Sequence, residues 1–219
     1  ILLAMGLTTH SIHCRLEGRP EEDALAAIEA ALRRLLEARG LVAATGPEDA
    51  ARALFLVPGQ GPWISIFDTD FEQTETLAAN LSRDPGLPAV SLQIFDSDHY
   101  YLKLFQDGKP VARLSGGAGR SKTPKIARAW LDLMPAGTAA EDVAAALSGQ
   151  AVFAEEHARE FAARLGIDPE LCLQTSAGFW EALPAGGRRL IYRAPAGAAP
   201  EEPPRFRLSA LPGAVKLSV

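Results

Sequence analysis

Two segments of this chain end an apolar run in Asp-x-Asp: IFDTD at 66–70 and IFDSD at 94–98. Acids one residue apart at a strand end can hold a divalent cation, or divide the work of nucleophile and proton carrier. A third segment, GGAGRSKT (116–123), pairs glycines with Lys122 and Thr123, the residue types that cradle phosphate. A fourth feature is charge. Lys103, Lys109, Arg113, Arg120, Lys122, Lys125 and Arg128 lie between residues 103 and 128 with Asp107 as the only acid. Seven cations against one acid give +6 in a chain of net charge −5, so the rest of the molecule carries −11. That run suits an anionic partner: phosphate, nucleic acid or an acidic protein surface.

The elements that position these groups follow from periodicity. LTTHSIHCRL (7–16) is rich in β-branched residues and reads as a strand. GRPEED opens a helix whose Leu25, Ile28, Leu32, Leu35 and Leu36 share one face. Gly40 followed by Leu41 predicts a Schellman-type stop. Runs at 53–57 and 63–67 flank PGQG and read as a hairpin, and a helix spans 70–83. Strands at 89–95, 100–105 and 109–114 complete a meander, with Asp107–Gly108 as its turn.

The expected fold class is α+β, with a mainly antiparallel sheet and two helices in the first half. The order β-α-β-β-α-β over 7–95 is compatible with a ferredoxin-like layout. Residues 1–117 form the sheet domain on this reading. Residues 118–219 supply helices at 124–134, 139–148 and 154–165, then a strand at 188–194 and edge strands at 205–209 and 214–219. The two parts either pack together or stand as separate domains. Thr123–Pro124 has the chemistry of an N-cap and first helical residue, and Thr138 with Glu141 has capping-box spacing.

ISIFDTD (64–70) resembles the opening motif of haloacid-dehalogenase-type phosphatases. The resemblance implies that Asp68 attacks phosphorus and that Asp70 handles the leaving-group proton. It departs at Phe71 and Glu72, which stand where those enzymes have Gly-Thr, and that family needs a parallel sheet. The structural alternative is that Asp68, Thr69 or Asp70 caps the following helix. Asp96, Ser97 and Asp98 fit a tight turn. Residues 116–123 lack the second P-loop glycine, since Ser121 occupies that place.

The reading favoured here is a non-enzymatic binding protein. Arg113, Arg120, Lys122, Lys125 and Arg128 would bind the anionic partner, four of them around the N-terminus of helix 124–134. A divalent-metal phosphohydrolase using Asp68 and Asp70 is the alternative. Beyond that alternative, no metal or cofactor is expected. His10 and His13 are three apart in a strand and so face opposite sides, unable to share an ion. Cys14 and Cys172 match no metal spacing, and two thiols in 219 residues point to a reducing cytoplasm. The opening ILLAMGL lacks the basic flank of a signal peptide. No apolar run approaches the roughly 20 residues that span a bilayer, so no membrane partner is expected.

Overall fold

The structure, a computed structural model, describes residues 6–120 and 123–195, and for Arg120 and Gln150 the backbone only. At its centre lie β1 (Thr9–Arg15), α1 (Glu21–Glu37), β3 (Arg52–Pro58), β4 (Trp63–Asp68), α2 (Thr74–Arg83) and β5 (Ala89–Phe95). These four strands run β3-β4-β1-β5 across the sheet, and every neighbouring pair is antiparallel. Both helices pack on one face, so this unit has the ferredoxin-like layout. The meander continues through β6 (His99–Gln106) and β7 (Lys109–Gly117), the last strand on that side.

α1 starts after Pro20 with Glu21, Glu22 and Asp23 in its first turn, where acids complement the free N–H groups. Its stripe of Ala24, Leu25, Ile28, Ala31, Leu32 and Leu36 is buried against Ile12, Leu54, Ile64 and Ile66. It stops as the sequence predicts. Gly40 has φ +81°, and the Leu41 N–H reaches back to the Leu36 carbonyl at 3.1 Å.

The opposite face carries the second half of the chain. α3 (Arg128–Leu131), α4 (Ala140–Ala146) and α5 (Ala154–Leu165) bury Trp130, Val143, Ala158, Phe161 and Leu165 against Leu92, Tyr100, Leu102 and Leu114. Helices and sheet therefore share one apolar cluster. Gly166, at φ +77°, closes α5, with the Ile167 N–H on the Ala162 carbonyl at 3.0 Å. A two-stranded piece, β8 (Gly119–Arg120) with β9 (Gln150–Ala151), was not anticipated. Neither was β2 (Val42–Ala43), a two-residue edge.

Two expectations need correction. The helix expected at 124–134 is only the single turn of α3, and residues 123–127 are non-helical. Thr138 does not cap α4. Its hydroxyl donates to the Pro135 carbonyl at 2.7 Å, and Ala139 precedes the helix without a side-chain cap. The strand expected at 188–194 forms, as β10 (Arg188–Arg193). It lies between β2 and β3. The strands expected at 205–209 and 214–219 lie outside the described residues.

A polar seam crosses the second face of the central strands. Thr9, Ser11 and His13 of β1 and Ser65 of β4 are all buried. The His13 ring meets Ser65 Oγ at 2.8 Å through Nδ1 and Ser11 Oγ at 2.9 Å through Nε2. The Thr9 hydroxyl donates to the Gln174 carbonyl. One ring nitrogen donates and the other accepts, so a neutral imidazole is satisfied there and a cation is not. Burial pushes the His13 pKa down to about 3.

The sign of the resulting pH dependence follows. The unfolded chain takes up the proton as pH falls through about 6.5, while the folded protein resists until about 3. Stability should therefore fall on acidification across that window, by about 1.4 kcal/mol per pH unit from this ring. His10, also lowered chiefly by burial, adds in the same direction. Urea midpoints at pH 7 and pH 5 test this, and equal midpoints would contradict it.

Candidate functional site

Asp68 ends β4, and antiparallel strands flank it on both sides, β1 and β3. The side chains of Asp68 and Arg52 are 2% and 6% exposed. Arg52 Nε donates to Asp68 Oδ1 at 3.0 Å, and Nη2 donates to Oδ2. The Asp70 N–H donates to the same Oδ1 at 2.9 Å. Arg52 Nη1 also lies 3.2 Å from Asp70 Oδ2. One guanidinium thus engages both acids of the first doublet, and a bidentate fork is the strong form of that pairing. Burial pushes the Asp68 carboxyl up from its ordinary range, and the Arg52 hydrogen bonds oppose that shift. His10 donates from Nε2 to the Asp68 carbonyl at 2.7 Å and packs edge-on to Phe71, ring centres 4.8 Å apart.

The capping expectation falls on Asp70. Its Oδ1 accepts from the Glu72 N–H at 3.2 Å and opens a 3-10 turn, Phe71–Gln73, ahead of α2. Thr69 is otherwise engaged, accepting from the Ala53 N–H at 2.9 Å.

The second doublet is a turn with different partners. Asp96 and Ser97 have φ of +49° and +56°. Asp96 Oδ1 accepts from the Gly6 N–H at 3.1 Å. Ser97 Oγ accepts from the Leu7 N–H at 2.7 Å and donates to Glu155 at 3.0 Å. This turn ties the chain start to α5, and Arg52 serves only the first doublet. Among the described residues, no group of three or more His, Cys, Asp or Glu side chains is placed to hold a metal ion.

The glycines of GGAGRSKT are not a phosphate loop in the described part. Gly116 and Gly117 end β7. A Cβ on Gly116 would sit 2.6 Å from the Tyr100 hydroxyl, and one on Gly117 would sit 2.8 Å from the Asp98 carbonyl. These positions need glycine because β6 and its turn lie against them.

The basic run is divided by the sheet. Arg113 pairs across strands with Lys103, and both lie on the α2 face. Lys103 Nζ is held by Glu75 of α2 at 2.5 Å and 2.6 Å, while Arg113 is exposed. Ala112 and Leu114 turn the other way, beneath Ile126 and Trp130. Exposed Lys125 and Arg128 therefore project from the layer on the opposite face. Arg128 pairs with Asp132 at 2.8 Å, with its side chain 84% exposed. Arg120 contributes its backbone to β8; its side chain and all of Lys122 lie outside the described residues. The helix expected to gather these cations at its N-terminus does not form there, because α3 has a single turn and starts at Arg128 itself.

Between the two groups of cations lies the outer edge of β7. Among the described residues this strand pairs only with β6. Among the described residues, no hydrogen bond from 109–117 reaches outward to another element. Lys109, Arg113 and Lys125 have no carboxylate within 4.0 Å among the described residues. Tyr101 shares a face with Lys103 but is taken edge-on by Phe95, ring centres 5.8 Å apart, and Phe105 is core. The Phe105 ring is therefore closed to a stacking base.

Compared with known proteins, the chain matches no family model, no curated protein and no solved structure.

One feature escaped the sequence reading. Val152 and Phe153, between β9 and α5, are 70% and 50% exposed. Their only sequence signal was two adjacent bulky apolar residues immediately before a helix. Among the described residues, no helix is long and apolar enough to cross a membrane.

Proposed function

We propose that this is a non-enzymatic interaction protein that recognises an anionic partner through the basic edge formed by β7 and the segment leading into α3. The observation that carries the reading is the β7 edge, unpaired among the described residues, with exposed cations on both faces of the sheet, Arg113 on the α2 face and Lys125 and Arg128 on the α3 face. Charge held at a rim, outside any buried network, speeds encounter and selects partners more than it stabilises the fold.

The metal-phosphohydrolase reading has Arg52 against it. Both Asp68 oxygens already accept hydrogen bonds, and the flanking strands are antiparallel. Binding to immobilised heparin, a generic polyanion, tests the favoured reading. Retention should fall steeply with salt, because several counterions are exchanged at once. Arg113→Glu combined with Lys125→Glu should weaken it at least tenfold without moving the thermal midpoint by more than a degree or two. Salt-independent retention, or retention unchanged in the double variant, contradicts the proposal.

A further inference from the structure

Resting on that reading, we infer that the partner is an extended acidic segment of another protein, which adds to the sheet as a further strand along the outer edge of β7. The strand has nine residues, and it leaves every second pair of N–H and C=O groups facing outward with no described partner. Such a row is a template for another chain, and folded proteins ordinarily blunt it. The opposite edge of this sheet is blunted by brevity, since β2 has two residues. β7 is long. Its only proline is Pro110, and beside it a register shift against β6 leaves Val111 as an extra residue, so the regular row runs from Ala112 to Gly117.

The side chains say which strand fits. Two β7 edges brought together would set Arg113 and Lys109 of one copy against those of the other, so self-pairing is opposed. A strand bearing Glu or Asp on both of its faces would meet Arg113 on one side of the sheet and Lys125 with Arg128 on the other. Alternation along a strand sends successive side chains to opposite faces, so acids at both parities are required. Val111, 43% exposed on the same edge, gives an apolar partner residue a contact. Main-chain bonds would supply affinity and the charges selectivity, as in other strand-addition complexes.

The test uses the full chain and a labelled acidic peptide of eight residues, alternating pairs of Glu and Val, read by fluorescence anisotropy at low salt. Two further peptides of identical charge carry backbone N-methyl groups at odd or at even residues. Strand addition predicts that one methylated peptide loses at least tenfold in affinity while the other binds within about twofold of the parent. Equal binding by all three overturns strand addition and leaves a charge-only surface. If neither peptide nor heparin binds, the basic-edge reading itself fails.

Discussion

Asp68→Ala is expected to destabilise the protein by about 3–5 kcal/mol, because it strands the buried guanidinium of Arg52. Arg52 is 6% exposed on its side chain and has Asp68 as its bidentate partner. Asp70 cannot replace it. That carboxylate is 36% exposed, touches Nη1 at 3.2 Å, and shares its charge with solvent. Asp70→Ala should accordingly cost less than about 1 kcal/mol. Replacing both partners together, Arg52→Met with Asp68→Leu, should recover most of the loss, since no orphaned charge remains. Urea denaturation of the three variants measures the contrast. An Asp68→Ala protein as stable as the parent would return the residue to the list of candidate catalysts.

The second large effect is at Trp63. Its ring is 1% exposed in the cluster shared by sheet and helices, and its Nε1–H donates to the Leu165 carbonyl at 2.8 Å. Trp63→Ala removes a large side chain from a packed interior, with an expected loss of about 3–5 kcal/mol. It also leaves a helix-end carbonyl without its donor. Because Trp63 belongs to β4 and Leu165 ends α5, the loss should appear in both halves of the chain at once. Tryptophan fluorescence from Trp130 and Trp180 and far-ultraviolet circular dichroism should then report one coincident transition, shifted together. Separate transitions would mean that residues 1–117 and 118–219 unfold as independent domains. Trp63→Phe, which keeps an aromatic ring but loses volume and the hydrogen bond, should cost less than the alanine variant, about 1–3 kcal/mol.

Local signals were legible in the sequence and pairing was not. The stripe of α1, the glycine stop at Gly40, the 107–108 turn and the hairpin around PGQG depend on residues close in sequence. Each formed where its chemistry pointed. The ferredoxin-like order was also recoverable, because a βαββαβ succession leaves few ways to lay four strands side by side. What failed was non-local. Nothing in RRLIYRA indicates that it slots between β2 and β3 rather than bordering the sheet. The Thr123–Pro124 start failed because tertiary packing of Ile126 and Trp130 against β7 overrode a local cap preference. At the site, the sequence showed that Asp68 had neighbours suited to chemistry but not that Arg52, sixteen residues earlier, would close over it. Likewise the run of cations was visible, but its division by β7 required knowing that residues 109–117 end the sheet.

The place of β10 has a consequence for how the protein is made. A ribosome delivers β3 long before residues 188–193 emerge, so β3 must wait with one flank open. Until then Phe55 and Phe67 also lack Phe179, the ring that later lies 5.9 Å and 4.5 Å from them. The nascent polypeptide thus exposes both a strand border and an aromatic surface for most of its synthesis. Release from that vulnerable interval comes only when nearly the whole described chain has been translated.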